Sequence, residues 1–366
     1  MNAKKYLFLI PRLGGGGAER VLVTIANQLC KSNQIRIFTI TSPDCYYELD
    51  KRVEIVCIGT PVNRKNKVLL FFSEMLGAIK FIRAISQEVR KWKPDAMLSF
   101  LTETNFLAIF LKMIRRIKCR LVVSERADPN KRGKMKQWFE KRLYPKADAI
   151  VCQSIPVTSF FNVKHSKKIK IIRNPINRAA IPTYFDGERK KRIIGVGRLD
   201  YQKNFALLIS AFAQLGNDYS DYCLEIYGYG KLEPELQKQI DSLGLSDRAH
   251  LMGMKENVMH YISDASLFVL SSDFEGFPNA LIEAMATGLP VITTDFTPKG
   301  VATEIVTREN GLIVPVGDID ALTHAMREIL SDKEKMLHFS INNRKVLNEF
   351  DEEKISFEWE KILIGD

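Results

Sequence analysis

The sequence lacks the long apolar run of a membrane-spanning protein and the paired cysteines of a disulfide or zinc protein. A spanning helix needs about 20 consecutive apolar residues, and no uninterrupted run in the 366 residues approaches that length. The six cysteines are scattered and form no C-x-x-C pair. This pattern favours reduced core thiols in a cytosolic protein without a zinc site. Internal repeats and low-complexity segments are also absent, so we expect ordinary globular domains.

We do not expect the amino-terminal segment to act as a secretory signal. The chain starts with basic residues and a short apolar run that ends at Pro11-Arg12, with no small-residue cleavage site. We therefore expect residues 6–10 to form a buried first strand.

Charge is distributed unevenly along the chain. The formal net charge is +11, but residues 1–172 hold 33 Lys and Arg against 13 Asp and Glu, whereas residues 173–366 hold 21 against 30. Such a split indicates that the first half faces something anionic. No nucleic-acid recognition motif accompanies the charge, so an anionic membrane surface is the favoured partner.

Strand and helix patterns alternate throughout, which predicts an α/β protein with parallel sheets and helical crossovers. The length allows two domains, and we place them at residues 1–172 and 173–349, with a charged helix at about residues 350–366. Two doubly wound domains with a central cleft are the simplest architecture, because ligands bind at the carboxyl ends of parallel strands. The predicted strands are Tyr6–Ile10, Ile35–Thr41, Val53–Ile58, Ala96–Phe100, Leu121–Ser124, Ala149–Gln153, Arg192–Gly197, Cys223–Tyr227, Ala249–Met252, Leu267–Leu270, Val291–Thr294 and Gly311–Val314.

The most informative segment is EGFPNALIE at residues 275–283, followed by AMATGLP. We expect a loop that leads into a short helix, with Pro278 at the first helical position and Gly288 ending it. The first-turn amides of such a helix are unpaired and carry partial positive charge, so they suit a phosphate. Glu275 and Glu283 then flank that phosphate site with carboxylates that can bind hydroxyl groups. A capped surface helix with two solvated glutamates is the alternative interpretation.

A second segment, GRLDYQKN at residues 197–204, follows a predicted strand and delivers Arg198 and Lys203 to its carboxyl end. Two cations suit a diphosphate leaving group, which gains negative charge as its bond to the sugar breaks. Two ordinary surface cations are the alternative. Asp318-Ile319-Asp320 has the D-x-D pattern of metal-dependent sugar transferases, but its place before a predicted helix favours an N-cap.

The two segments together resemble the signature of family 4 retaining glycosyltransferases, especially enzymes that build bacterial polysaccharides or lipid-linked oligosaccharides. Residues 275–283 are similar to the E-x7-E motif of that family, and Arg198 with Lys203 resembles its phosphate clamp. The resemblance implies the GT-B fold, with two Rossmann-like domains facing a cleft and the last helix returning to the first domain. It implies catalytic roles for Glu275, Arg198 and Lys203.

By the same resemblance, further residues contact the nucleotide sugar. The loop GGGG at residues 14–17 is neither a Rossmann fingerprint nor a Walker loop, but it resembles the first-domain loop that faces the donor in the family. Glu283 would hold the ribose and the backbone at Met254 the base. The residues implied in donor binding are Gly16, Gly17, Gly197, Arg198, Lys203, Gly228, Met254, Glu275, Gly276, Phe277, Pro278, Asn279, Ala280, Leu281 and Glu283.

The segment SERADP at residues 124–129 follows a first-domain strand. Many family members have a histidine in this region, whereas this chain has Arg126, which puts a histidine-based role in doubt. Glu125 and Arg126 are candidate contacts of the donor or acceptor.

The resemblance implies transfer of a sugar, with retention, from a nucleotide sugar, UDP-linked in the favoured interpretation, to a hydroxyl group of a saccharide acceptor. The acceptor would be polyprenyl-diphosphate-linked, at the inner face of the cell membrane, in capsule, exopolysaccharide or lipopolysaccharide assembly. The enzyme would need no metal or other cofactor. Two alternatives remain: a UDP-sugar 2-epimerase of the same fold, or a non-catalytic module that binds a nucleotide or a membrane.

Two stretches, residues 68–83 and 105–118, mix apolar and basic residues at helical spacing. Buried crossover helices are the usual explanation of such a pattern, and a membrane-surface face is the alternative.

Overall fold

The structure is a computed structural model in which residues 3–59, 67–126, 128–161 and 163–366 are described, except for the side chains of residues 67–78 and 163. The chain divides into two compact units. The first comprises residues 1–175 and 352–366, and the second comprises residues 176–351. The observed breaks therefore lie three and two residues later than the predicted ones.

Parallel strands form the sheet of the first unit, in the order β3-β2-β1-β4-β5-β6-β7. The short last strand was not predicted. The strands are β1 (Lys5–Ile10), β2 (Gln34–Thr39), β3 (Glu54–Cys57), β4 (Ala96–Phe100), β5 (Arg120–Ser124), β6 (Ala149–Cys152) and β7 (Ile169–Ile171). The described helices between them are α1 (Gly17–Leu29), α2 (Lys67–Trp92), α3 (Thr102–Met113), α4 (Lys134–Leu143) and α5 (Ile155–Thr158).

Both faces of this sheet are covered, as expected for parallel strands. Because side chains alternate along a strand, Tyr6 and Phe8 of β1 enter one apolar layer with α1, whereas Leu7 and Leu9 enter the opposite layer with Tyr144. Residues 6–10 are fully buried, which confirms the predicted first strand.

The second unit repeats this plan, with strand order β10-β9-β8-β11-β12-β13. Its strands are β8 (Lys190–Val196), β9 (Cys223–Tyr227), β10 (Ala249–Gly253), β11 (Ala265–Leu270), β12 (Val291–Thr294) and β13 (Gly311–Val314). Its helices are α6 (Phe205–Ala213), α7 (Glu233–Ser242), α8 (Val258–Ile262), α9 (Asn279–Ala286), α10 (Ile319–Leu330), α11 (Lys333–Asn343) and α12 (Val346–Glu349).

The last helix, α13 (Glu352–Ile364), belongs to the first unit. Trp359 is fully buried there, with its ring 5.6 Å from that of Phe100, and Arg120 donates a hydrogen bond of 2.7 Å to the carbonyl of Ile362. The apolar positions of this charged helix thus complete one layer of the first core.

Strand order reverses once in each sheet, between β1 and β4 in the first unit and between β8 and β11 in the second. The loops after two such strands run to opposite sides of the sheet and leave a crevice, where ligands bind in open α/β folds. The predicted glycine loop follows β1, and the segments with Lys203 and Glu275 follow β8 and β11.

Candidate active site

The loops after β8 and β11 are in direct contact at the reversal point of the second sheet. The amide of Asp273 donates to the carbonyl of Gln202 at 2.9 Å, and the amide group of Asn204 donates to the Asp273 carboxylate at 2.8 Å. The two predicted segments, far apart in sequence, therefore form one site because their strands are neighbours in the sheet.

Lys203 and Glu275 form the central ion pair of this site. The Nζ of Lys203 lies 2.5 Å from Oε1 of Glu275, and the two side chains are 13% and 6% exposed. Ser272 Oγ donates to the same carboxylate at 2.7 Å. A nearly buried pair of this kind has strong mutual attraction, and either charge left alone would be costly.

Arg198 joins the same network from the solvent side. Its side chain is 67% exposed, and its guanidinium group lies 3.4 Å from Asp200 and donates to Gln202 at 3.3 Å. Gln202 in turn donates to Oε2 of Glu275 at 3.1 Å. Sequence reasoning missed Gln202 and Ser272, although Gln202 lies within one predicted segment and Ser272 shortly precedes the other.

Glycines hold the loops of this unit close together. The amide of Gly197 donates to the carbonyl of Tyr227 at 2.9 Å, and a Cβ added at Gly228 would lie 1.8 Å from the carbonyl oxygen of Gly197. Gly228 also has φ of +148°, which side chains disfavour. These two predicted residues thus fix the loop that carries Arg198 and Lys203.

The helix after Glu275 begins one residue later than predicted. It starts at Asn279, with Pro278 as the N-cap residue, and Gly288 ends it with φ of +85°. The amide of Asn279 donates to the carbonyl of Phe277 at 3.0 Å, so it is paired, contrary to expectation. Within the described part of the chain, the amides of Ala280 and Leu281 have no acceptor and remain suited to an anion.

Not every side chain of this segment can contact a ligand. Phe277 and Leu281 are buried in the core of the second unit, where the ring of Phe277 lies 5.9 Å from that of Phe350. Their backbone groups, like those of Gly276, remain available to contact a ligand. Glu283 is half-buried, one turn inside α9.

A pocket of about 570 Å³ lies beside the carboxyl ends of β9 and β10, close to the predicted nucleotide region. Met254 follows β10 and is 55% exposed. The pocket is lined by Gly230, Lys231, Glu233, Pro234, Gln237 and Leu251.

In the first unit, the glycine loop leads directly into α1, with Gly16 as N-cap and Gly17 as the first helical residue. The Glu19 carboxylate lies over Gly16, where an added Cβ would come within 2.4 Å of it. A carboxylate at this position opposes an anion, so the geometry gives no added support to a phosphate role for Gly16 and Gly17.

Glu125 is a structural residue in this conformation. Its carboxylate is 2% exposed and accepts two hydrogen bonds from Arg132, at 2.6 and 2.8 Å. Arg132 also pairs with the fully buried Glu140, whose pKa is raised by burial. Because of these bonds, the Glu125 carboxylate serves to stabilise the fold.

Arg126 differs from its neighbour. Its guanidinium group lies over the Phe100 ring at 4.6 Å and donates to Asn174 at 2.6 Å. Its Nε and Nη1 atoms are buried without an acceptor among the described residues. Burial lowers the pKa of Arg126 to about 9, which leaves it charged at neutral pH. Buried donors of a charged group are costly unless satisfied, so this position fits an anionic ligand.

Asp318, the first residue of the D-x-D pattern, has a structural role. Asp318 is the N-cap of α10 and accepts from the amide of Ala321 at 2.8 Å, as predicted. Among the described residues, no group of His, Cys, Asp or Glu side chains is arranged to hold a metal ion. All six cysteines are free thiols.

Solved structures share this fold over nearly the whole chain. Sucrose-phosphate synthase from Thermosynechococcus elongatus is 18% identical, with 98% of each chain covered and a TM-score of 0.83. Anabaena Alr3699/HepE in complex with UDP-glucose is 19% identical, with 98% of this chain and 99% of that chain covered and a TM-score of 0.79. The fold is therefore GT-B, the architecture of a large class of glycosyltransferases.

Family comparisons identify the class more closely. Residues 15–180 match the family described as Glycosyltransferase Family 4, and residues 181–346 match Glycosyl transferases group 1. The chain belongs to the family 4 glycosyltransferases, which confirms the predicted family, enzyme class and fold.

Curated relatives match from end to end. A GalNAc-alpha-(1->4)-GalNAc-alpha-(1->3)-diNAcBac-PP-undecaprenol alpha-1,4-N-acetyl-D-galactosaminyltransferase of Campylobacter jejuni is 26% identical over 98% of each sequence. An N-acetylgalactosamine-N,N'-diacetylbacillosaminyl-diphospho-undecaprenol 4-alpha-N-acetylgalactosaminyltransferase of the same organism is 29% identical, over 99% of this chain and 100% of the relative. The protein is thus a nucleotide-sugar-dependent glycosyltransferase similar to bacterial glycosyltransferases of lipid-linked glycans.

Proposed function

We propose that this glycosyltransferase moves a sugar, with retention of its anomeric configuration, from a UDP-sugar to a hydroxyl group of a polyprenyl-diphosphate-linked saccharide. The observation that carries the proposal is the network of Arg198, Gln202, Lys203 and Glu275 at the reversal point of the second sheet. UDP-glucose in the complex of the similar HepE supports the donor class. The undecaprenol diphosphate named for the Campylobacter relatives supports the acceptor class.

In this proposal Lys203 and Arg198 bind the diphosphate of the donor. Two cations offset the charge that develops on the leaving group, and the amides of Ala280 and Leu281 add dipolar stabilisation. The exposed Arg198 is free to reorient toward a ligand, whereas Lys203 must exchange its bond to Glu275 for one to phosphate. Glu275 then accepts hydrogen bonds from the hydroxyl groups of the sugar.

The nucleoside lies against the carboxyl ends of β9 and β10 in the same proposal. Glu283 holds the ribose hydroxyls, and the backbone at Met254 contacts the base, beside the pocket near Gly230. Gly197 and Gly228 keep the intervening loops close enough for this arrangement.

In this proposal Arg126 binds an anionic group of the substrates, because two of its buried nitrogens have no acceptor in the described part of the chain. No side chain is assigned as a base. Retention can proceed on one face of the sugar, with the leaving phosphate accepting the proton from the acceptor hydroxyl group.

The reaction needs no metal ion in this proposal, because Arg198, Lys203 and the α9 amides provide the positive charge. We expect full activity in the presence of a chelator. Loss of activity that Mn²⁺ or Mg²⁺ restores would contradict this part of the proposal.

We place the enzyme on the cytoplasmic face of the cell membrane, as a peripheral protein held by the basic first unit, where the lipid-linked acceptor resides. No described helix has the length and apolar character to span a bilayer. Nucleic acid is not a partner in this proposal.

A donor screen tests the function directly. Thermal stability is measured with UDP, GDP, ADP and their sugars, on the native chain and on Arg198→Ala. We expect selective stabilisation by one UDP-sugar, reduced in the variant, followed by transfer of that sugar to a polyprenyl-diphosphate-linked oligosaccharide. Conversion of the UDP-sugar without any acceptor would instead indicate an epimerase, and binding without turnover would indicate a non-catalytic module.

A further inference from the structure

The outward face of α4 carries large apolar side chains next to exposed basic ones. Met135, Trp138 and Phe139 are 76%, 53% and 43% exposed. They occupy positions i, i+3 and i+4, so they lie on one side of the helix. Exposed side chains of this size, clustered on a single helix, mark an interaction surface.

Basic residues flank this apolar set. Lys134, Lys141 and Arg142 are exposed, and the guanidinium group of Arg142 lies 4.9 Å from the centre of the Trp138 ring. These six side chains, Lys134, Met135, Trp138, Phe139, Lys141 and Arg142, form what we call the α4 face.

Negative charge is turned away from the α4 face. Within α4, all of which the structure describes, Glu140 is the one carboxylate, and it is fully buried in an ion pair with Arg132. Lys136 is turned toward α3, where it pairs with Glu103 at 3.1 Å. Every exposed side chain of the helix is thus cationic or apolar.

The end of α3 repeats this composition. Phe110, Met113 and Ile114 are 47%, 50% and 44% exposed, and the exposed Arg115 and Arg116 follow directly. The stretch at residues 105–118 therefore does not form a fully buried crossover helix. The Lys136–Glu103 pair links the two helices at their amino-terminal ends.

We propose that the α4 face docks onto an anionic lipid bilayer, with Trp138, Met135 and Phe139 inserted at the boundary between headgroups and acyl chains. This inference rests on the proposed function, in which the acceptor is lipid-linked. Tryptophan prefers that boundary because its ring is apolar and its N–H is polar. Lysine and arginine beside it pair with anionic headgroups while their aliphatic stems cover apolar surface.

Charge complementarity selects lipid over a folded protein or a second copy of this chain as the occupant. Two copies of the α4 face would bring cations against cations. A bilayer with anionic headgroups instead supplies negative charge for the basic side chains and an apolar layer for Met135, Trp138 and Phe139.

Vesicle binding of the full chain tests the proposal, with vesicles of phosphatidylcholine alone or mixed with phosphatidylglycerol. Three variants are compared: a charge variant (Lys134→Glu, Lys141→Glu, Arg142→Glu), an apolar variant (Met135→Ser, Trp138→Ser, Phe139→Ser) and a matched control, Phe357→Ser. Phe357 on α13 is 57% exposed, with Lys361 4.5 Å from its ring, but acidic residues surround it in sequence.

We expect the native chain to sediment with the anionic vesicles and to bind neutral ones weakly. The charge variant should bind anionic vesicles at least on the order of 10²-fold more weakly, because three basic side chains no longer face the anionic headgroups. The apolar variant should bind them roughly tenfold or more weakly, and the control should bind as the native chain does. Native-like binding by either α4 variant, or binding that ignores lipid charge, would overturn the proposal.

Fluorescence gives a second, independent readout. Of the other two tryptophans, Trp359 is fully buried and Trp92 is half-buried, with the guanidinium group of Arg36 4.6 Å from its ring. Emission that shifts to shorter wavelength with vesicles, and quenching by brominated lipid, should therefore come from Trp138 and be abolished in Trp138→Phe. Persistent quenching in that variant would place the contact elsewhere. Concentration-dependent dimers of the native chain that the apolar variant abolishes would identify a second copy as the occupant and also refute the lipid assignment.

The same samples separate this inference from the proposed function. Stabilisation by UDP involves the second unit and should be unchanged in all three variants. Vesicle binding without any UDP effect would count against the proposed function alone, whereas UDP binding with unaltered vesicle binding in the α4 variants would count against the docking surface alone.

Discussion

Replacing Glu275 by glutamine should strengthen the binding of UDP while abolishing most sugar transfer. The Glu275 carboxylate lies 2.5 Å from the Nζ of Lys203, and both side chains are nearly buried. A diphosphate that needs Lys203 must compete with that carboxylate. Glutamine has the same shape and can still accept hydrogen bonds from Lys203 and Ser272 through its side-chain carbonyl. It can also form a hydrogen bond with Gln202 if the side-chain amide of Gln202 flips.

The magnitude follows from the bond that the diphosphate has to replace. A hydrogen bond with an ionised partner contributes about 1.5–3 kcal/mol. The neutral amide of the variant forfeits much of that, so UDP should bind roughly 10- to 100-fold more tightly. Transfer should still fall by about 10²-fold or more, because the charged acceptor of the sugar hydroxyl groups is removed.

Calorimetric titration of UDP at fixed ionic strength measures the affinity, and a radiolabelled-donor assay measures transfer. Glu328→Gln is a matched control, since Glu328 pairs with Lys335 at 2.8 Å on an exposed surface outside the site. It should change neither quantity. Equal or weaker UDP binding by a folded Glu275→Gln protein would refute competition for Lys203 as the reason for the pair.

Four further substitutions, with Gly216→Ala as a control, test the rest of the site. Arg198→Ala should lower kcat by about 10²-fold with no loss of thermal stability, because Arg198 is exposed, whereas Lys203→Ala should also destabilise the fold by about 3–5 kcal/mol. Denaturant unfolding, measured alongside the rate assays, would show both the loss of activity and the change in stability. Equal stabilities of the Arg198→Ala and Lys203→Ala proteins would contradict the predicted difference between them. Gly228→Ala should destabilise by at least ~2 kcal/mol, whereas Gly216→Ala, with φ of +74° but open space around it, should cost less in the same melts. Arg126→Met should slow transfer by about 10²-fold while raising stability by about 1–2 kcal/mol, because it removes unsatisfied buried donors; a destabilised Arg126→Met would contradict the need for a ligand there.

The periodic parts of the fold were predictable from the sequence. Buried parallel strands such as Ala96–Phe100 and Val291–Thr294 were predicted with the observed bounds, because both faces of each are covered and the apolar run has clear ends. The edge strand Ile169–Ile171 was not predicted, since it is short and its residues are largely exposed. An edge strand with one neighbour leaves little apolar pattern to detect.

The site was predictable at the level of residue types and less so at the level of partners. The motifs pointed to Lys203 and Glu275, but their mutual ion pair depends on the adjacency of β8 and β11, which hydrophobic patterns do not encode. Glu125 and Arg126 looked equivalent in the sequence. Only the approach of Arg132 from the next loop distinguishes the satisfied carboxylate from the unsatisfied guanidinium group.

The two units treat charge at their strand ends in opposite ways, and the contrast bears on when each can bind a substrate. In the second unit the buried charges of Lys203 and Glu275 satisfy one another, and in the proposed function the donor diphosphate displaces Glu275 from Lys203. In the first unit Arg126 follows β5 and lies over the last residue of β4, with two nitrogens that no described residue satisfies. A folded chain that retains such a group bears its desolvation cost continuously. That cost is recovered only when an anion arrives, so substrate binding at Arg126 should stabilise the first unit more than its contact area alone implies.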